Sequence, residues 1–258
     1  MKCRMRSCNF TIPRAVIVLL CGLAFIPVRA EVTGTVTLKG EPNSKDETFV
    51  ASASGCGESP IRHTENWKIG PKGELADVVV WIVDPKFPDT LDYKTPIPTV
   101  KQIGCRYDPH VVVVRAKSPL TIINGDPTLH NIRARIYDGP GKPLGETVFN
   151  FGQSYQGQKD ERQFDDPGIY TLQCAVHNWM QCWVVVLPPA TLPGYALTGT
   201  DGVFKLIAGD VLLDGDYKID AWHPRFAQPL EQTIHVKNGT AILPSAGVNF
   251  IFDGAKSF

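Results

Sequence analysis

The sequence predicts an all-β protein of antiparallel-sandwich type, and three observations carry that prediction. Past residue 30, short runs rich in Val, Ile, Thr, Phe and Tyr recur between clusters of Gly, Pro, Asn and Asp, the pattern of short antiparallel strands. No segment there sustains the 3.6-residue apolar period of an amphipathic helix, which argues against parallel α/β architectures. The chain has 258 residues, 43% of them apolar, enough to bury one large or two modest cores.

Residues 1–30 come first. Lys2, Arg4, Arg6 and Arg14 precede an apolar run over 15–28, and the segment ends Val28-Arg29-Ala30. This is the pattern of a secretory signal peptide with a small residue at the cleavage site. An uncleaved anchor is the alternative, but the run is short for a membrane span. Cys21 follows Leu20, where a lipoprotein signal needs a small residue. The mature chain is therefore expected to be soluble, periplasmic or secreted. Removing the five basic residues of this segment leaves 21 Lys plus Arg against 26 Asp plus Glu. A mildly acidic chain gives no basis for nucleic-acid binding.

Residues 31–39, EVTGTVTLK, alternate apolar and polar side chains and read as a half-buried strand ending at Gly40. Residues 41–75 lose hydrophobicity and read as a long loop. The run 76–83, ADVVVWIV, is a central strand by its β-branched content. Pro85, Pro88, Pro96 and Pro98 then mark a boundary over 84–98. Strands are expected over 108–114, 119–123 and 131–137, with 168–173 and 183–187 as a closing pair. After Pro188 and Pro189, the stretch 198–224 contains a strand, a Gly-Asp turn and a second alternating strand. Residues 232–252 read as a hairpin turning at Asn238-Gly239.

The chemistry concentrates in 168–186, GIYTLQCAVHNWMQCWVVV, where a tight loop between two strands carries Cys174, His177 and Met180. A thiolate, an imidazole and a thioether at C-x2-H-x2-M spacing suit copper better than magnesium or calcium, and partly suit zinc. The segment 122–132, IINGDPTLHNI, delivers a second imidazole, His130, followed by Asn131. Taken singly, Cys174 and Met180 read as core residues and His130 as a strand-end histidine. Together, two His, one Cys and one long axial Met form the ligand set of an electron-transfer copper centre. His110 reads as a strand-start residue and His223 as a turn residue. His63 and His235 have no companions at useful spacing.

The paired elements N-x-D-x3-HN and PG-x-Y-x3-C-x2-H-x2-M resemble the cupredoxin (type 1 blue copper) family, with an amicyanin/plastocyanin-like loop, over roughly 105–188. The resemblance implies a Greek-key sandwich over 99–188 holding one type 1 copper. Its equatorial ligands would be His130, Cys174 and His177, and its axial ligand Met180. It further implies that Asn131 ties the His130 strand to the Cys174 loop. His177 would be the ligand nearest the surface and the electron exit, with Asn178 and Trp179 in a docking patch. Trp179, Trp183, Ile132 and Leu129 are expected to shield the ion.

If Cys174 holds metal, Cys56, Cys105 and Cys182 remain in an oxidising compartment once Cys3, Cys8 and Cys21 leave with the signal. Cys56 and Cys105, both in glycine-containing loops, are the expected disulfide, worth about 4 kcal/mol by loop closure. Cys182 is then a buried free thiol. A binuclear site joining Cys174 and Cys182 conflicts with their separation across a strand start.

The Asp-Gly-x-Phe and Gly-Asp-Tyr-x-Ile segments resemble the carboxypeptidase-regulatory-like, transthyretin-type β-sandwich, whose opening strands are similar to VTGTVTLKG and DVVVWIV. Residues 31–98 and 189–258 would then form one sandwich interrupted by the copper domain. A tandem arrangement is the alternative. The VVVWI, Q-x-G-C-x-Y-x-P-H-V and AWHP segments are similar to those of exported methylamine-utilisation-like proteins.

No C-x-x-C-H, H-E-x-x-H, G-x-S-x-G or H-x-H motif is present, so the expectation is a non-enzymatic electron carrier serving a redox protein such as a cytochrome or dehydrogenase. The acidic group Asp160, Glu161, Asp165 and Asp166 could steer a basic partner, or is solvated loop surface. A binding or scaffold module with a structural or sensory copper, and a copper carrier, are the competing functions.

Overall fold

The protein is described by a computed structural model covering residues 31–258 except 51–53, 87–95, 192–193, 208–211, 238–239 and 243–246. The signal-peptide reading of 1–30 and the Asn238-Gly239 turn lie outside the described residues. The strands are β1 (Glu31–Lys39), β2 (Thr48–Val50), β3 (Ile61–His63), β4 (Val79–Ile82), β5 (Thr99–Gln102), β6 (Tyr107–Asp108) and β7 (Val111–Arg115). They continue with β8 (Pro119–Asn124), β9 (His130–Ile136), β10 (Thr147–Gln153), β11 (Lys159–Gln163), β12 (Gly168–Gln173) and β13 (Gln181–Leu187). The last six are β14 (Tyr195–Leu197), β15 (Val203–Ile207), β16 (Gly215–Trp222), β17 (Leu230–Lys237), β18 (Thr240–Ile242) and β19 (Val248–Asp253). Helical structure among the described residues is confined to two 3₁₀ turns, Pro189–Thr191 and Gly254–Lys256.

The first sandwich uses strands from both halves of the chain. Sheet β15-β1-β19 faces sheet β14-β4-β16-β17-β18. Val32, Val36, Phe204 and Phe250 from one meet Val80, Ile82, Ile219 and Ile234 from the other in a shared core. β1 pairs antiparallel with β15 and parallel with β19, so the first described strand lies between two from the C-terminal half. Gly34 is required at that seam: a Cβ there would sit 1.7 Å from the Val248 carbonyl oxygen. β14 pairs antiparallel with β4, Tyr195 opposite Trp81, so the chain departs after β4 and returns beside it.

The second sandwich consists of sheet β10-β9-β12-β13-β7 and sheet β11-β8-β5-β6. Val100, Leu120 and Ile122 pack against Ile132, Leu172, Val184 and Val186. β7 and β13 run parallel and are apolar on both faces, as strands covered on both sides must be. Val112, Val114, Val184 and Val186 face this sandwich's core. Val111, Val113, Trp183, Val185 and Leu187 face the other way, against Val79 and Trp222 of the first sandwich. Trp183 and Trp222 meet edge to face at 5.8 Å between ring centroids.

Three sequence expectations need correction. The strand expected over 108–114 is interrupted at Pro109 and His110 and forms β6 and β7, which lie in different sheets. The loop expected over 41–75 contains the β2–β3 hairpin, whose three-residue strands are too short to show a period. Asp160 and Glu161 lie on strand β11 rather than a loop. β11 is an edge strand with alternately exposed side chains, and charged residues are tolerated there because only one set of backbone groups needs a partner.

Candidate metal centre

The register of three strands brings the motif residues together. β9 pairs antiparallel with β12, Arg133 opposite Gln173, which sets the start of β9 beside the end of β12. β12 and β13 pair down to Gln173 opposite Gln181, closing the loop 174–180. Within that loop the Cys174 N–H donates to the Met180 carbonyl at 3.3 Å, and the Met180 N–H to the His177 carbonyl at 2.9 Å.

Three donor atoms converge in this space. His177 Nδ1 lies 3.7 Å from Cys174 Sγ and 3.2 Å from His130 Nδ1. One ligand atom from each of His130, Cys174 and His177 lies within 4.8 Å of the others, and all three side chains are buried. A trigonal first-row ion with bonds of about 2.0 Å to nitrogen and about 2.3 Å to sulfur requires edges of about 3.5 Å and about 3.7 Å. The donor set and spacing fit such an ion. Met180 is buried in the same core as Cys174.

The surroundings favour the thiolate form of Cys174. Burial by itself raises the Cys174 pKa, but hydrogen bonds from His130 and from backbone N–H groups outweigh it and lower the pKa below the ordinary thiol value. The Asn131 and His177 N–H groups each lie 3.4 Å from the sulfur. Asn131 Oδ1 accepts from the Ala175 N–H at 3.3 Å, and its Nδ2 donates to the Phe151 carbonyl at 3.0 Å, joining β9, β10 and the loop. The Tyr107 hydroxyl donates to the Asn131 carbonyl at 3.0 Å.

Each histidine is also fixed from behind. His130 Nε2 lies 2.9 Å from the Asp126 carboxylate, which leaves Nδ1 facing Cys174. Burial lowers the His130 pKa, and bonds to Cys174 and Asp126 raise it to a net value above normal. Asp126 also accepts from the Gly104 N–H at 2.7 Å and the Cys105 N–H at 2.9 Å. These are the central residues of the β5–β6 hairpin, both with positive φ, 59° and 54°.

His177 differs from the expectation. It is only 2% exposed and is not a surface ligand. Cys56 and Cys105 form a disulfide, and their sulfurs lie 3.6 Å and 3.9 Å from His177 Nε2. The loop carrying Cys56 therefore covers the imidazole edge expected to face solvent. Burial, with the charge of His130, lowers the His177 pKa.

Trp179 stands beside this cover, 5.2 Å from the His177 ring, and its Nε1 donates to the Cys105 carbonyl at 3.0 Å. Arg62 lies 5.9 Å from the Trp179 ring and donates to the Cys56 carbonyl at 3.2 Å. Ile132 lines the core, but Trp183 points to the other sandwich and Leu129 is 46% exposed, so neither shields the donors as expected. Alternation along β13 explains the first: Cys182 faces inward and Trp183 must face outward. Cys182 is a buried free thiol whose pKa burial raises strongly.

Sequence reading assigned no role to Asp126, Tyr107 or Arg62. Asp126 was within reach, four residues before His130 in the same turn; Tyr107 and Arg62 carry no local signal. The acidic group is partly paired, Asp160 with Arg162 at 3.6 Å and Glu161 with Lys159 at 3.1 Å. His63 bonds Thr48, exposed His235 pairs with Asp216, and His223 stacks on Trp67 at 5.1 Å. His110 is buried with Nδ1 4.0 Å from the Glu65 carboxylate.

No family model matches the sequence, and no curated protein matches it. Among the solved structures that align with part of the chain are copper proteins. A purple cupredoxin from Nitrosopumilus maritimus is 21% identical, covering 35% of this chain and 99% of that one, with TM-score 0.30. A reduced amicyanin variant is 20% identical, covering 42% of this chain and 98% of that one, with TM-score 0.30. A copper-containing nitrite reductase from Thermus scotoductus SA-01 is 19% identical with TM-score 0.28; the match covers 40% of this chain but only 25% of the reductase. Among the described residues, no helix is long and apolar enough to cross a membrane.

Proposed function

We propose that this chain is an exported type 1 copper protein that carries electrons and catalyses no reaction of its own. The observation that supports this reading is the meeting of two imidazole Nδ1 atoms and one thiol sulfur in a buried space built by three paired strands. His130, Cys174 and His177 would hold the ion equatorially, with Met180 as the axial thioether. Bound there, copper supplies a one-electron couple. The protein supplies rigidity: Asp126 holds His130, Asn131 and two N–H groups hold Cys174, and the disulfide loop holds His177. Fixed donors suit electron transfer because ligand movement would raise its barrier.

Because His177 is covered, the electron route to a cytochrome or dehydrogenase would cross the Cys56–Cys105 loop and Trp179, not a bare imidazole edge. The copper domain would be an insertion, with 31–98 and 189–258 forming one transthyretin-like sandwich; the pairings of β1 with β15 and β19, and of β4 with β14, support this. Addition of Cu(II) to the mature protein is the test. An intense visible thiolate-to-copper charge-transfer band is expected, lost in Cys174→Ser. A wild type that takes up Cu(II) without that band refutes the proposal.

A further inference from the structure

The covered side of His177 carries more donor chemistry than the copper centre uses. Cys56 Sγ, Cys105 Sγ and His177 Nε2 form a second group of ligand atoms within 4.8 Å, on the opposite edge of the imidazole from Nδ1. Its sulfur-to-nitrogen distances are 3.6 Å and 3.9 Å. A tetrahedral ion bonded to thiolate sulfur and imidazole nitrogen sets that edge at about 3.6 Å. A third group, Cys105, Asp126 and His130, puts a buried carboxylate beside the same sulfur.

We propose that reduction of the Cys56–Cys105 disulfide creates a second metal site, formed by both sulfurs and His177 Nε2, for a soft d¹⁰ cation such as Zn²⁺ or Cu⁺. The reductant is a dithiol. Its thiolate attacks one sulfur, the Cys56–Cys105 bond breaks, and its second thiol resolves the mixed disulfide. Two electrons pass to the cysteines, the dithiol leaves as its own disulfide, and Cys56 and Cys105 each end as a thiol. Binding of the cation then displaces both thiol protons to solvent.

The surroundings suit this site. To hold one ion, the sulfurs must part to about 3.8 Å, the tetrahedral sulfur–sulfur edge. Cys56 lies between Gly55 and Gly57, at φ 85° and 89°, and a Cβ on Gly57 would meet nothing within 4 Å. The backbone on the Gly57 side of Cys56 is therefore open, whereas the Gly55 side packs against Thr128, where a Cβ would sit 2.7 Å from Thr128 Cβ. Arg62, 5% exposed and bonded to the Cys56 carbonyl, places a cation beside the thiolates. Cys105 is held on the other side by the hairpin and by Asp126.

The site does not depend on copper in the first one, so it is tested in Cys174→Ser, where the first donor set is broken. That protein is reduced anaerobically with dithiothreitol, freed of reductant, and titrated with Co²⁺ and then Zn²⁺ against a chromophoric chelator; the fold is followed by circular dichroism. The expected result is one tight equivalent in the reduced protein, sulfur-to-cobalt charge-transfer absorption that Zn²⁺ removes, and at least 100-fold weaker binding in the oxidised protein. Adding Cys56→Ser and Cys105→Ser should abolish the absorption, and adding His177→Gln should weaken binding at least tenfold. Equal binding by oxidised and reduced protein overturns the proposal, as does cobalt–thiolate absorption that survives both serine substitutions. Loss of the fold on reduction also overturns it, because the site needs the closed loop. Failure of the copper band in the wild type would leave these outcomes unchanged.

Discussion

Asp126→Asn is the sharpest test of how the centre is held. Asp126 is 5% exposed, and its carboxylate accepts from the Gly104 and Cys105 N–H groups and from His130 Nε2, at 2.7, 2.9 and 2.9 Å. Asparagine keeps the shape and one acceptor oxygen but turns an amide N–H₂ toward groups that donate. Hydrogen bonds to a charged acceptor contribute about 1.5–3 kcal/mol each, and a buried donor left without a partner costs about 1–3 kcal/mol. With one acceptor position retained, the net loss should be about 2–4 kcal/mol. It should appear in urea unfolding of the metal-free protein as a lower midpoint at unchanged slope. Loosening the His130 ring should also weaken copper binding about 10- to 100-fold in a chelator competition. If Asp126→Asn unfolds within about 0.5 kcal/mol of wild type and binds copper equally well, the carboxylate does not organise this site.

Other predictions concern the frame. Trp222→Ala opens the face shared by the two sandwiches and should cost about 3–5 kcal/mol in chemical denaturation; a loss below about 1 kcal/mol would mean the Trp183–Trp222 contact holds nothing. Gly34→Ala drives a methyl group into the Val248 carbonyl and should separate β1 from β19, read as lost amide-exchange protection in both strands. Burial lowers the pKa of His110 to about 4 and that of His223 to about 3, from 6.5. Asp77 and Asp46 oppose the His110 shift, Lys68 reinforces it, and Arg225 reinforces the shift at His223. Both groups are therefore neutral in the fold where the unfolded chain is protonated. Stability should be complete above pH 6.5 and decline as pH falls toward 4, by up to about 3 kcal/mol for His110 alone. A urea midpoint that stays flat between pH 7 and 4 would contradict this.

What the sequence determined by itself was local. The alternation of EVTGTVTLK, the β-branched runs over β7 to β9 and the Cys174–His177–Met180 spacing are set by neighbours a few residues apart, so strands and candidate donors were legible without a fold. Counting thiols left three for one disulfide, and the glycine-containing loops of Cys56 and Cys105 singled out the pair that forms. Tertiary structure decided what no short window contains. β11 is a strand because β8 offers it an edge, despite its charged sequence KDERQ. β7 and β13 are apolar on both faces because a second sandwich lies behind them. His177 is covered because a loop more than a hundred residues earlier closes over its outer nitrogen. Propensity and spacing act along the chain, whereas burial and access depend on which distant segments arrive at the same place, and that is set by packing the whole molecule.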